Sequence, residues 1–182
     1  MMGFVREFFV RRQLKSDGFK GERCSVALSR VKRCIILFDV LDAEFGKCTE
    51  IAEDFFRSHG IELKAFYLDM GKHGKDDIIT TGVKTTILKR NLNIFGILPQ
   101  EMIEELVSDP ADVYICAANN TLPVTRCVNG IVPAPFCVGL ADYPGSPFSM
   151  VFGNADEDNI QVNFHNSAER LANILRYLEM VV

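Results

Sequence analysis

The stretch Cys34-Ile35-Ile36-Leu37-Phe38-Asp39-Val40 narrows the folds open to this chain more than any other segment. Its first five side chains are all apolar, so a strand here has no polar face and must be covered on both sides. That is the situation of a central strand in a parallel sheet with helices above and below. A second run of the same kind, DVYICAA, lies at 112–118. Between and after them, strand and helix patterns alternate. A helix is expected at about 47–59, with Ile51, Ala52, Phe55 and Phe56 inward and Gly60 closing its end. Strands are expected at 62–68 (ELKAFYL), 84–89 (KTTILK), 135–140 (PFCVGL) and 148–152 (FSMVF).

Further helices are expected after Pro99, with Met102, Ile103, Leu106 and Val107 inward, around Pro123–Asn129, and at the C-terminal end. In the last, Asn166 with Glu169 reads as a capping pair, and Leu171, Ile174, Leu175 and Leu178 form the stripe. The pattern predicts an open, mostly parallel α/β sheet flanked by helices, a three-layer Rossmann-like or flavodoxin-like arrangement. No internal repeat or second domain is visible. The chain divides into a basic arm, 1–23, and a single α/β domain, 24–182.

Composition fits that architecture. With 182 residues and 48% hydrophobic content, the chain is far from the disordered range and can build a full core. No run of 18 apolar residues exists to span a membrane as a helix. The N-terminus, MMGFVREFFVRRQLK, has charges inside its apolar stretch and is not read as a secretion signal. The six cysteines contain no CxxC pair, and Cys34 and Cys116 sit in apolar runs, so free thiols in a reducing cytoplasm are expected. No metal site is expected.

Charge is unevenly distributed. Residues 1–33 carry nine basic and three acidic side chains, a net +6; the remainder carries 11 basic and 21 acidic, a net −10. Residues 3–15 read as an amphipathic helix with Phe4, Val5, Phe8 and Phe9 on one face and Arg6, Arg11, Arg12 and Lys15 largely elsewhere. Two outcomes are open for it. It covers its own domain, or residues 1–15 present Phe4, Phe8, Phe9, Arg11 and Arg12 to a protein partner or an anionic membrane surface, the inner membrane for a bacterial cytoplasmic protein. Nucleic acid is the least favoured partner.

In a parallel sheet, ligands bind beyond the carboxyl ends of the strands. The residues expected there are Asp39 and Asp42 after the first strand, Asp69, Lys72 and His73 after the second, and Asn119 and Asn120 after the fourth. Three carboxylates in 39–44 would suit Mg²⁺ as in receiver domains, yet no matching phospho-acceptor and lysine pair follows. The loop GKHGK lacks the order of a phosphate-binding P-loop, and no GxGxxG follows a strand. His59, His73 and His165 are dispersed, and His59 beside Gly60 suits a helix end. No catalytic residue is named and no cofactor identified. The first reading is a non-catalytic binding or scaffold domain; the alternative is a small enzyme or a nucleotide- or phosphate-binding protein using the carboxyl-edge loops. Self-association through a sheet edge or the arm is a third.

Four stretches in order carry a resemblance: FVREFFVRRQLK, the ILFD strand end, Lys89-Arg90-Asn91-Leu92-Asn93-Ile94-Phe95-Gly96, and ADVYICAANNTLPV through PFCVGL to the last helix. Over nearly the whole chain the sequence resembles a family of uncharacterised α/β proteins found mainly in Bacteroidetes. That family has no established activity, so the resemblance implies no catalytic residue. Its most distinctive piece is Leu-Asn-x-Phe-Gly, in which Gly96 permits a tight turn and Phe95 anchors it. NNT and ADYPGSP depart from the family pattern.

Overall fold

A computed structural model describes residues 2–22, 24–72, 81–152 and 166–180, with side chains from residue 7 onward in the first helix. Strand β1 (Arg33–Asp39) carries the CIILF run and lies in the middle of a six-stranded sheet, with Cys34 through Phe38 all buried. Its neighbours are β2 (Glu62–Asp69) on one side and β4 (Val113–Cys116) on the other, both parallel to it. The two apolar runs therefore lie side by side in the same direction, with Cys34 opposite Val113 and Leu37 opposite Cys116. β3 (Thr86–Leu88) pairs with β2, β5 (Phe136–Gly139) with β4, and β6 (Met150–Val151) with β5, all parallel. The strand order is β3-β2-β1-β4-β5-β6. The chain steps outward from β1 to β3, then returns across β1 to β4, so the order reverses between β1 and β4.

Among the described residues, five α-helices cover the sheet: α1 (Met2–Asp17), α2 (Phe45–Ser58), α3 (Gln100–Val107), α4 (Pro123–Ile131) and α5 (Ser167–Met180). Strand side chains alternate between two cores. Ile35, Leu37, Phe66, Leu68, Tyr114 and Cys116 face the layer of α1, α3 and α4. Cys34, Ile36, Phe38, Val113, Ile115 and Val138 face α2 and α5. α2 ends as Gly60 implies. Its φ is +67°, its N–H reaches Arg57 O, and Ile61 N reaches Phe56 O, a Schellman closure with both apolar partners buried.

Three details depart from or add to the sequence pattern. Val107 is exposed at the end of α3, because the inward stripe is completed by Leu106. The start of α5 is closed from outside the helix: Glu44 Oε2 accepts the Ala168 N–H at 3.1 Å. The third concerns α1. The expected apolar face was Phe4, Val5, Phe8 and Phe9, but the inward positions are Val10, 1% exposed, and Gln13, with Leu14 packed beside them, while Phe8 points outward at 57% exposure. The side chain of Phe4 lies outside the described residues.

This register is set by α4. Glu7 receives two bonds from the Arg126 guanidinium, at 2.7 and 2.9 Å. Leu14 lies over Gly130, where an added Cβ would overlap it, and Phe19 N–H donates to Gly130 O at 2.8 Å. The arm thus packs on its own domain along its inward face. Burying a side chain the size of Val10 contributes about 1.5–3 kcal/mol.

Candidate functional site

The carboxyl ends of β1, β2 and β4 bring most of the expected polar residues to one edge, but the residues divide into groups with different tasks. Asp39 closes β1. Its Oδ1 accepts the Leu41 N–H at 3.0 Å and its Oδ2 accepts the Asn120 amide at 2.7 Å. Burial raises the Asp39 pKa; the bonds from Leu41 and Asn120 oppose this, and the charges of Asp42 and Asp69 add to it. Asn120 is the hub: its Oδ1 accepts the Thr125 hydroxyl at 2.6 Å and the Leu122 N–H at 3.2 Å, fixing the entry to α4.

Asp42 and Asn119 serve the fold. Asp42 is buried, accepts the Glu44 N–H at 2.8 Å, and receives the Ser167 hydroxyl at 2.5 Å, binding the β1–α2 turn to α5. Asn119 is buried and accepts from the guanidinium of Arg170, which also donates to Phe152 O at 2.7 Å and to Leu140 O. Burial lowers the Arg170 pKa, with the charge of Asp42 opposing. Arg170 holds together the ends of β4, β5 and β6, a role no local sequence signal announces. Asp69 is buried and turns the chain by accepting the Gly71 N–H at 3.0 Å. His73 lies outside the described residues.

Two hollows open beside this framework. One, of about 240 Å³, is lined by Gly71, Lys72, Leu88, Lys89 and Arg90. The other, of about 370 Å³, runs from Met70 past Lys89, Leu92, Asn93, Ile94 and Gly96 to Leu122, Pro123 and Val124. Lys89 belongs to both. The first is cationic and the second largely apolar, with Asn93 and the first turn of α4 as polar elements.

The wall between β3 and α3 is a built loop. Asn93 Oδ1 accepts the N–H groups of Phe95 and Ile97 at 2.9 and 3.0 Å, and Gly96 adopts φ +78°. Phe95 stacks on Phe9 of α1, centroids 4.1 Å apart, so the Phe-Gly turn is anchored as its sequence implied. Lys89 and Asn93 as lining residues were missed by sequence reasoning. The signal was present in the Lys89–Gly96 segment, whose turn was legible but whose position beside α4 was not.

Other chemistries have less to work with. None of the six cysteines is in a disulfide; burial pushes Cys48, Cys116 and Cys127 up to about 12 and raises Cys34 well above the ordinary thiol value, which keeps these thiols protonated and inert. Among the described residues, no three His, Cys, Asp or Glu side chains are placed to share a metal ion. Among the same residues, no helix is long and apolar enough to cross a membrane. The chain matches no family model, no curated protein and no solved structure.

Proposed function

We propose that this protein binds a phosphate-bearing small molecule with an apolar or planar portion, in the cleft at the carboxyl edge of the sheet. The observation that carries this reading is the pairing of a cationic hollow (Lys72, Lys89, Arg90) with a 370 Å³ apolar cleft through one shared lysine. Lys89 is placed to meet the anionic group. Leu92, Leu122 and Val124 would pack against the uncharged portion. The first turn of α4 adds the partial positive charge of a helix N-terminus beside Leu122 and Pro123. The reversal of strand order between β1 and β4 supports the reading by fold analogy, because β3-β2-β1-β4-β5-β6 is the order of Rossmann-like nucleotide-binding sheets. Asp39 and Asn120 would act as the rigid floor that orients the start of α4.

Thermal melts with AMP, ADP and inorganic pyrophosphate test it. A probe at 100 times its dissociation constant stabilises the fold by about 2.7 kcal/mol. For a domain of this size that is a rise of about 5–10 °C in Tm. Wild type is expected to shift with at least one nucleotide and Lys89→Glu to lose the shift. No shift of wild type with any of the three probes would overturn the reading.

A further inference from the structure

The solvent-facing side of α1 has a composition that its own fold does not need. Folding is served by Glu7, Val10, Gln13 and Leu14, which meet α4 and the sheet. One turn apart on the opposite face stand Phe8, Arg11, Arg12 and Lys15, all exposed, with Arg11 also meeting Glu7 at 3.2 Å. An aromatic ring amid three cations on a solvated face is the pattern of an interfacial helix, whose cations hold lipid head groups while the ring enters the acyl boundary.

The rest of the corner continues the pattern. Phe8 contacts Phe9 edge-on at 5.5 Å, Phe9 stacks on Phe95, and the residue before Phe95 is Ile94, 82% exposed. Ile94 and Leu122 stand on the lining of the same cleft, and Leu122 is itself 42% exposed. Leu41, at the carboxyl end of β1, is exposed on the same edge of the sheet. Lys89 adds a further exposed cation. Among the described residues, three acids of this edge are engaged by the fold: Asp42 and Asp69 are buried, and Asp39 is held by Asn120. A protein of net charge −4 therefore presents a basic, apolar-studded corner.

We propose that this corner, formed by Phe8, Ile94 and Leu122 with Arg11, Arg12 and Lys89, docks on an anionic membrane surface. Charge complementarity selects the occupant. Separate apolar side chains standing on α1, the 92–97 loop and the start of α4, with Arg11 and Arg12 on the helix of Phe8 and Lys89 in the cleft lining of Ile94 and Leu122, suit a fluid interface that admits each wedge individually. The proposal goes beyond the ligand reading and does not depend on it.

The test is co-sedimentation of the full chain with vesicles of phosphatidylcholine alone and of phosphatidylcholine with 30% phosphatidylserine, a composition on the order of an anionic leaflet. Wild type is expected to pellet with the anionic vesicles only and to be released by raised salt. Phe8→Ser with Ile94→Ser, and separately Arg12→Glu with Lys15→Glu, are each expected to lower partitioning by about tenfold. These positions are exposed, and unchanged melting temperatures verify that the variants fold. Wild type ignoring both vesicle types overturns the proposal, and so does binding that survives the Phe8/Ile94 pair unchanged. A variant pair that alters only self-association on gel filtration would make the corner a protein interface, which also overturns it. The ADP thermal shift, run on the charge-reversal variant, whose positions lie outside the cleft lining, reports the cleft separately.

Discussion

Asn120 donates its side-chain amide to the Asp39 carboxylate at 2.7 Å, across the line where the order of strands reverses. The same amide group, through its oxygen, fixes Thr125 and Leu122 at the start of α4. One side chain thus couples the end of β1 to the helix that walls the cleft.

Asp39 is expected to titrate above its ordinary value of 3.8, since burial outweighs the bonds from Leu41 and Asn120. The native state then holds this proton more tightly than the unfolded chain. The Asp39 contribution to stability is full below the ordinary value and declines as pH rises through the folded one. Asn120→Ala removes a donor to the carboxylate and moves the midpoint further up. Carboxyl carbon NMR titration of both forms measures this; a wild-type midpoint at or below 3.8 refutes it.

The Glu7–Arg126 pair sets how α1 lies on α4. Both side chains are about three-quarters covered, at 27% and 24% exposure, and the guanidinium also lies over the Tyr143 ring at 4.9 Å. Among the described residues Arg126 Nε is buried without a hydrogen-bond partner, so the bonds to Glu7 and the Tyr143 ring are what compensate the charge. Glu7→Ala is expected to cost about 1–3 kcal/mol in urea melts, with a coupling energy of about 1 kcal/mol in the double-mutant cycle. Arg126→Lys should recover little, because lysine offers neither the two-pronged bond nor the flat stacking surface.

Gly139, in β5, lies under the ring of Phe148, and an added Cβ would overlap that ring. Gly139→Ala is expected to destabilise by about 1–3 kcal/mol through overpacking. For a domain of this size, that is a loss of about 2–4 °C for each kcal/mol, read by calorimetry. A melt indistinguishable from wild type would show that Phe148 is free to swing away.

Gly96 holds φ +78° in the turn that Asn93 braces, next to the Phe95–Phe9 stack. Gly96→Ala should cost about 1 kcal/mol from backbone strain alone. It should also weaken any probe that binds the cleft, since this loop is its wall. Unchanged stability and unchanged ADP response together would contradict that role.

The parts of the fold that reading the chain recovers are those whose physics is local or doubly buried. CIILF and VYIC announce themselves because a strand covered on both faces has no polar positions to spare. Gly60 and Gly96 announce themselves because both turns require positive φ. The inward face of α1 is not legible, because apolar residues occur on both sides of that helix and a partner elsewhere, Arg126, decides between them. Asp42, Asn119 and Asn120 were legible as strand-end polar residues, but their division of labour depends on Ser167, Arg170 and Asp39, which meet them only in the folded chain. Lys89 and Asn93 were hidden for the same reason: a loop sequence shows its turn but not what it faces.

The way α1 lies on α4 has a consequence for how the leader can vary. Its outward residues Arg12 and Lys15 stand on the exposed face, Arg11 leans on Glu7 at 3.2 Å, and the inward register is locked to Arg126 and Gly130. Shortening the front of the protein would uncover a helix and a phenylalanine prop at once, so a clipped form would report on a damaged body. Charge reversal at Arg12 and Lys15, away from Glu7, leaves that strut in place.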